Sequence, residues 1–353
     1  MSGTTPHQVP PTDKLALRAA LIERIGGYMT AHSIAVAAEL GLADLIGTGS
    51  RTSGELAAET RTHEPSLRRL LRLLVAGGIM TEPQPGRFAL TEIGSQLRVD
   101  SPGSLRNFAR MFCDPLFLTS WQGLRHTVST GERAFDHAYG AGVYDYLAQH
   151  PETSALFNEA MSEESRYSAE QLAAGYDFPQ AGTLVDLGGG DGTLLTAILR
   201  RRPGLRGIVF DSASGVAEAS ATVNKAGLAD RCEVQAGDFF TSVPGHGDIY
   251  LIKSVFQDWG DEESLAILRT CRAHMPASAT LLVVGTVLPE TAGTSTPVMF
   301  LTDANMMVTT GGRERTESEF RAMLGEAGFT VQSVGDGDAG PLSVIQAVPA
   351  LAS

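Results

Sequence analysis

The chain has 353 residues, enough for two domains with cores of their own. Its net charge of −13 speaks against non-specific binding to nucleic acid or anionic membrane, both of which need a positive field. Hydrophobic residues make up 43% and charged residues 19%, and no apolar run reaches the ~18 residues of a membrane span. The three cysteines, Cys113, Cys232 and Cys271, lie far apart, as expected of reduced thiols in a soluble cytoplasmic protein.

Residues 1–12 are polar, contain Pro10 and Pro11, and are expected to form a disordered tail. From Asp13 to Ile46 the pattern is helical, interrupted by Gly26-Gly27 and Gly41. Thr52 and Glu55 have the spacing of a capping box for a short helix ending near Thr60. Pro65 suits the first turn of the next helix, whose Leu67, Leu70, Leu71 and Leu74 share a face until Gly77-Gly78 stops it. Two β-prone pieces between Ile79 and Thr91, split by Pro83, Pro85 and Gly86, predict a hairpin. Helix, helix, hairpin is a winged-helix layout, so 13–103 is expected to be one domain. Arg68, Arg69 and Arg72 stand where a DNA reader places its groove contacts; the acidic whole favours a merely solvated face.

Residues 104–180 read as mostly helical and carry many large side chains. Met111, Phe117, Trp121, Phe157 and Met161 are either core or the wall of an apolar pocket for a flat ligand. After Phe178-Pro179 the pattern changes to short apolar runs alternating with helical segments. The runs are Thr183–Leu187, Gly207–Phe210, Cys232–Gln235, Asp248–Ile252, Thr280–Val287, Phe329–Val334 and Ser343–Ala347. This alternation predicts an α/β domain over 181–353, with a mostly parallel, doubly wound Rossmann-like sheet.

The chemistry centres on Asp186-Leu187-Gly188-Gly189-Gly190-Asp191-Gly192, which follows the first of these strands and opens a helix. Glycines there let the backbone turn tightly and approach a ligand. Asp211 ends the second strand, where an acid can bond ribose hydroxyls. A nicotinamide dinucleotide fits poorly, because the third fingerprint glycine is Thr193 and Asp191 sets a negative charge where a pyrophosphate would sit. S-adenosylmethionine carries no phosphate and fits better. Gly237-Asp238-Phe239 adds a carboxylate able to accept from an adenine amino group, with a ring beside it. His126 and His137 lie in the substrate region and are either a source of a base or, as lone histidines more often are, structural; no His, Cys or acid cluster has the spacing of a metal site.

These residues resemble the class I S-adenosylmethionine-dependent O-methyltransferases, the group of plant caffeate-type enzymes and bacterial enzymes of polyketide and antibiotic tailoring. The likeness runs nearly the whole length. Its further signposts are Leu251-Ile252-Lys253-Ser254-Val255-Phe256-Gln257-Asp258-Trp259 and Gly311-Gly312-Arg313-Glu314-Arg315-Thr316. The resemblance implies that Gly188 and Gly190 contact the methionine part of the cofactor, and that Lys253 and Trp259 complete the adenine pocket. It also implies that Phe157 and Met161 cover cofactor and substrate, with Phe256, Asp303 and Met307 nearby, and that the N-terminal helices form a homodimer. The expected activity is O-methylation of an aromatic natural product.

The sequence departs from the family at two positions. The family's general base is a histidine before Asp-Trp, here Gln257, and the glutamate that orients it is here Gly285. The other family acid stays as Glu314. An amide takes no proton near neutral pH, so Gln257 is expected to orient the acceptor and leave catalysis to proximity. Glu314 reads as a substrate hydrogen-bond partner or as an ion pair with Arg313 or Arg315. The alternative is a relative that keeps the cofactor and catalyses hydroxylation, decarboxylation or a pericyclic reaction without methyl transfer.

Overall fold

The computed structural model describes residues 14–293, 297–335 and 342–351; the expected tail at 1–12 lies outside the described residues. Two compact units divide between Asp114 and Pro115.

In the first unit the glycines act as read. α1 (Lys14–Ile25) and α2 (Gly27–Glu39) meet at Gly26, and Gly41 turns the chain into α3 (Leu42–Ile46) through a left-handed φ of 63°. After β1 (Ser50–Thr52), the Thr52 hydroxyl accepts the Glu55 amide at 3.2 Å, and the Glu55 carboxylate accepts the Thr52 amide at 2.6 Å. That capping box starts α4 (Ser53–Thr60). α5 (Glu64–Ala76) buries Leu67, Leu71 and Leu74, with Leu70 half-buried at the edge. The hairpin of β2 (Met80–Gln84) and β3 (Arg87–Leu90) follows, and α6 (Glu92–Ser95) and α7 (Arg106–Phe112) complete the unit. β1 pairs antiparallel with β3, giving a three-stranded sheet where the residue pattern showed only a hairpin. A strand of three residues is too short to display alternation. Arg72 bridges Glu82 of β2 at 3.2 Å.

The second unit opens with α8 (Pro115–Gln122), α9 (Leu124–Thr130), α10 (Ala134–Tyr139), α11 (Val143–Gln149) and the long α12 (Pro151–Gly175). Then come β4 (Ala181–Leu187), α13 (Thr193–Arg201), β5 (Gly204–Asp211), α14 (Ala219–Lys225), β6 (Cys232–Ala236), β7 (Ile249–Lys253) and α15 (Asp261–His274). The chain continues with β8 (Thr280–Gly285), β9 (Val287–Leu288), α16 (Pro297–Thr309), β10 (Arg315–Thr316), α17 (Glu317–Glu326), β11 (Phe329–Gly335) and β12 (Ser343–Pro349). Seven strands form one sheet in the order β11-β12-β8-β7-β4-β5-β6, parallel from β8 to β6, with β12 antiparallel to both neighbours. One apolar cluster contains Val185, Leu187, Ile252 and Leu268; a second contains Leu184, Leu195, Val209 and Leu251. Alternate residues of β4 and β7 thus face opposite layers, as a sheet covered on both sides requires.

The strand expected over Thr280–Val287 is two. β8 ends at Gly285, the chain leaves the sheet at Thr286, and β9 pairs parallel with β10 in a separate ribbon. An unbroken apolar run cannot reveal such an exit, because the partner strand lies some 30 residues away in sequence. The strand order runs from β4 to β5 and β6 on one side and to β7 and β8 on the other. A crevice at the carboxyl ends of strands is expected at such a switch point, between β4 and β7.

Candidate active site

At that point β4 delivers the glycine turn. The Gly188 and Gly189 amides donate to the Phe210 carbonyl at 2.9 and 3.2 Å, fastening the turn to β5. Gly188, Gly190 and Gly192 have φ of 76°, 53° and 78°, the left-handed region that favours glycine. A side chain at 188 would strike Val255 Cγ2 at 2.7 Å and reach Phe239, whereas one at 190 would meet nothing. The turn is thus wedged between Val255 and Phe239 on one side and open on the other.

Asp186 lies beneath the turn, 1% exposed, and its Oδ2 has no hydrogen-bond partner. Burial pushes its carboxyl up to about 7; Lys253 opposes that shift, and Asp211 and Asp191 add to it. Lys253, at the end of β7, is pushed down by burial and held up by Glu164 of α12 and by Asp186. Asp211 accepts the Gly190 amide at 2.9 Å and the Ser212 amide at 2.6 Å. A carboxylate has about four acceptor positions, so two remain for ribose hydroxyls. Asp191 caps the following helix by accepting the Thr193 amide and hydroxyl at 3.0 and 2.9 Å.

Gly237 donates to the Asp211 carbonyl at 2.8 Å and packs on the Phe210 ring, which leaves no room there for a side chain. Asp238 is exposed and accepts the Phe240 amide at 2.9 Å. Phe240 links Phe239 and Trp259, with centroids 5.1 and 5.0 Å away. The orphaned Asp186 oxygen, the open face at Gly190 and the free positions on Asp211 fit a nucleoside with a cationic amino-acid tail.

The turn Phe256–Asp258 follows β7 and carries Gln257 and Asp258. Gln257 is half-buried. The Asp258 carboxyl, raised to about 6 by burial, accepts from Tyr144 at 3.4 Å. Tyr144 meets Phe157 edge-on at 6.4 Å, and Phe157 stacks with Phe117 at 6.3 Å. Met161 is half-buried one turn along α12 from Phe157. The Trp121 indole donates to Asn305 of α16 at 3.1 Å, and Asp303 on that helix accepts the Glu314 amide at 2.8 Å. Met307 is 36% exposed, and Met111 is buried within the first unit. His126 and His137 stack on each other at 3.9 Å, with His126 bonded to Glu132.

Glu314 is 4% exposed, and its Oε1 has no partner. Arg313 pairs instead with Asp261 and Glu319, and Arg315 with Asp261. Burial first and Asp303 second push the Glu314 carboxyl up to about 7, with the nearby Thr286 hydroxyl pulling the other way. Two residues of this site were singled out by nothing in the residue pattern: Thr286 and Glu164. Each arrives from a different element, so only the fold brings them in.

The O-methyltransferase domain model matches residues 121–330, and the O-methyltransferase dimerisation domain model matches residues 22–100. This chain belongs to the O-methyltransferase family. It is 42% identical over 353 residues to the O-demethylpuromycin-O-methyltransferase of Streptomyces alboniger, covering 98% of this chain and 94% of that one. It is 39% identical over 333 residues to a phenazine O-methyltransferase of Lysobacter antibioticus, covering 94% and 96%. Among solved structures, a methyltransferase of calicheamicin biosynthesis bound to S-adenosylhomocysteine superimposes with a TM-score of 0.86 at 36% identity, covering 96% of this chain and 100% of that one. The methyltransferase's cofactor is S-adenosylmethionine. Among the described residues no group of His, Cys, Asp and Glu is placed to hold a metal ion, and no helix is long and apolar enough to cross a membrane.

Proposed function

We propose that this methyltransferase transfers a methyl group to a hydroxyl of a flat aromatic acceptor by aligning the two reactants, as a homodimer in the cytoplasm. One observation carries the reading. The segment 253–259 serves both sides: Val255 packs on the glycine turn and Lys253 interacts with Asp186 beneath it, while Asp258 bonds Tyr144, which meets the Phe157–Phe117 stack. Relatives named for puromycin and phenazine chemistry fit an aromatic acceptor.

S-adenosylmethionine supplies an electrophilic methyl group on a sulfonium. Gly188 and Gly190 give its tail room, with Asp186 Oδ2 as the unfilled acceptor below them. Asp211 would accept from the ribose hydroxyls and Asp238 from the adenine amino group, with Phe239 and Trp259 beside the base. Gln257 orients the acceptor hydroxyl with its amide. General-base assistance contributes about 3–5 kcal/mol, whereas alignment contributes ~7–11 kcal/mol. An already acidic phenol is therefore methylated without a histidine.

The test is incubation with S-adenosylmethionine, labelled in the methyl group, and a panel of hydroxyphenazines, phenolic nucleosides and hydroxynaphthoates. Labelled ether and S-adenosylhomocysteine are expected in equal amounts. Product without S-adenosylhomocysteine would assign the non-methylating alternative, and cofactor binding with no methylated phenol overturns the reading.

A further inference from the structure

The second departure from the family, Gly285, is usually read as a loss. The structure makes it an opening. A side chain begun at Gly285 meets nothing within 4 Å, and a cleft of about 10 Å³ lies between Gly285, Gln257, Thr286 and Glu314. That is the volume one water needs, and a water also needs polar partners. Four polar residues, Ser254, Gln257, Thr286 and Glu314, are among those that line the cleft. One of them is the buried Glu314, whose Oε1 has no partner within the protein.

The neighbours hold this geometry. Gly312 packs so tightly on the Gln257 carbonyl that no side chain fits between them. The Arg315 guanidinium donates to the Phe256 carbonyl at 2.8 Å and to the Trp259 carbonyl at 3.1 Å. The segment carrying Glu314, just before β10, is thereby pinned against the turn carrying Gln257. Three other candidate bases nearby are engaged: Asp303 by the Glu314 amide, Asp258 by Tyr144, and His126 by Glu132.

We propose that Glu314 accepts the acceptor's hydroxyl proton, relayed by a single water held between Gln257, Gly285 and Glu314. The inference rests on the O-methyl-transfer reading above. The acceptor's O–H bond breaks toward the water, and the water passes a proton to Glu314 Oε1. The freed electron pair on the acceptor oxygen forms the new O–CH₃ bond, while the methyl–sulfur pair stays on sulfur. Glu314 then releases the proton to solvent. The charged groups facing it are Asp303 of α16, Asp258 of the turn and Arg315 of β10, with the Thr286 hydroxyl beside it. The two aspartates raise its proton affinity, and Arg315 opposes them weakly because Asp261 already shares its charge. A base near neutrality suits proton removal at working pH.

Four proteins test this: wild type, Glu314→Gln, Gly285→Ala, and Glu314→Gln combined with Gln257→His. Infrared titration of the cofactor-free enzyme should show the protonated carboxyls of Asp186 and Glu314 disappearing around neutral pH, and Glu314→Gln should lose one of the two bands while Asp186 keeps the other. Turnover is then compared on a weakly acidic phenol and on its nitro-substituted analogue. Glu314→Gln should lose about 10²–10⁴-fold on the weak acid and little on the nitrophenol, together with the acidic limb of the pH profile. Gly285→Ala, whose methyl projects into the cleft and narrows the room for the water, should show the same selective loss. Gln257→His should restore turnover to Glu314→Gln. Equal losses on both phenols, or an acidic limb that survives Glu314→Gln, would overturn the proposal. If no phenol is methylated by wild type, the underlying reading falls, while the infrared titration still reports whether Glu314 takes up the proton.

Discussion

Asp186 shows how a binding site constrains the protein that carries it. An aspartate ordinarily titrates at 3.8, yet this one is held at about 7 by burial beneath the glycine turn. Between those values the unfolded chain has lost the proton while the folded chain keeps it. Stability therefore falls as pH rises through that window, and above about 7 the loss is complete. The difference corresponds to at most ~4 kcal/mol. Asp258 and Glu314, also raised by burial, act in the same direction. Replacing Asp186 by Asn should leave stability unchanged in acid. Near pH ~8 it should raise stability of the cofactor-free protein by up to ~4 kcal/mol while weakening cofactor binding. Urea unfolding at several pH values measures this, and a variant as pH-sensitive as wild type would mean that Asp186 carries no such penalty.

Elements show where residue spacing was informative and where it was not. The β4 turn and Asp211 are legible because the chemistry sits at a strand end and the next strand follows within one helix. The capping box of α4 is likewise a three-residue affair. The β9–β10 ribbon, the joining of β1 to β3 and the Tyr144–Asp258 contact depend on residues distant in sequence, and no periodicity encodes them. The motif Gly311–Thr316 was visible only as a likeness, and the structure supplies its cause. Gly312 must be small to pass the Gln257 carbonyl, and Arg315 must be long to reach two carbonyls and Asp261. Arg315 is 1% exposed, so removing it takes a donor from the Phe256 and Trp259 carbonyls, while the exposed Asp261 keeps Arg313 as a partner. Arg315→Met should cost about 1–3 kcal/mol, and Arg315→Lys should recover only part because one ammonium cannot replace the planar fork. Thermal unfolding of the two variants reads the difference; a cost under ~1 kcal/mol would mean that the Phe256–Asp258 turn holds itself.

At the scale of the whole molecule, α1 is the element that a single chain leaves unexplained. None of its residues is buried, and Leu15, Leu17, Leu21, Ile22 and Ile25 are 55–75% exposed, followed on α2 by Tyr28 at 60% and Met29 at 52%. A stripe of large apolar side chains on this scale marks an interaction surface in a stable protein. The dimerisation-domain match begins at residue 22, within the same helix. A second copy of the chain is the partner this predicts, with both copies presenting the same stripe about a two-fold axis. Burying one Leu or Ile contributes about 1.5–3 kcal/mol, so putting charges at two such positions should weaken the dimer by ~3 kcal/mol or more. That is about 10²-fold or more in its dissociation constant. Leu21→Glu with Ile25→Glu should therefore sediment as a monomer where wild type sediments as a dimer. Neither position belongs to an apolar cluster, and both side chains are exposed, so the variant should keep its circular dichroism. A wild-type chain that sediments as a monomer, or a double variant that stays dimeric, would remove α1 from the interface.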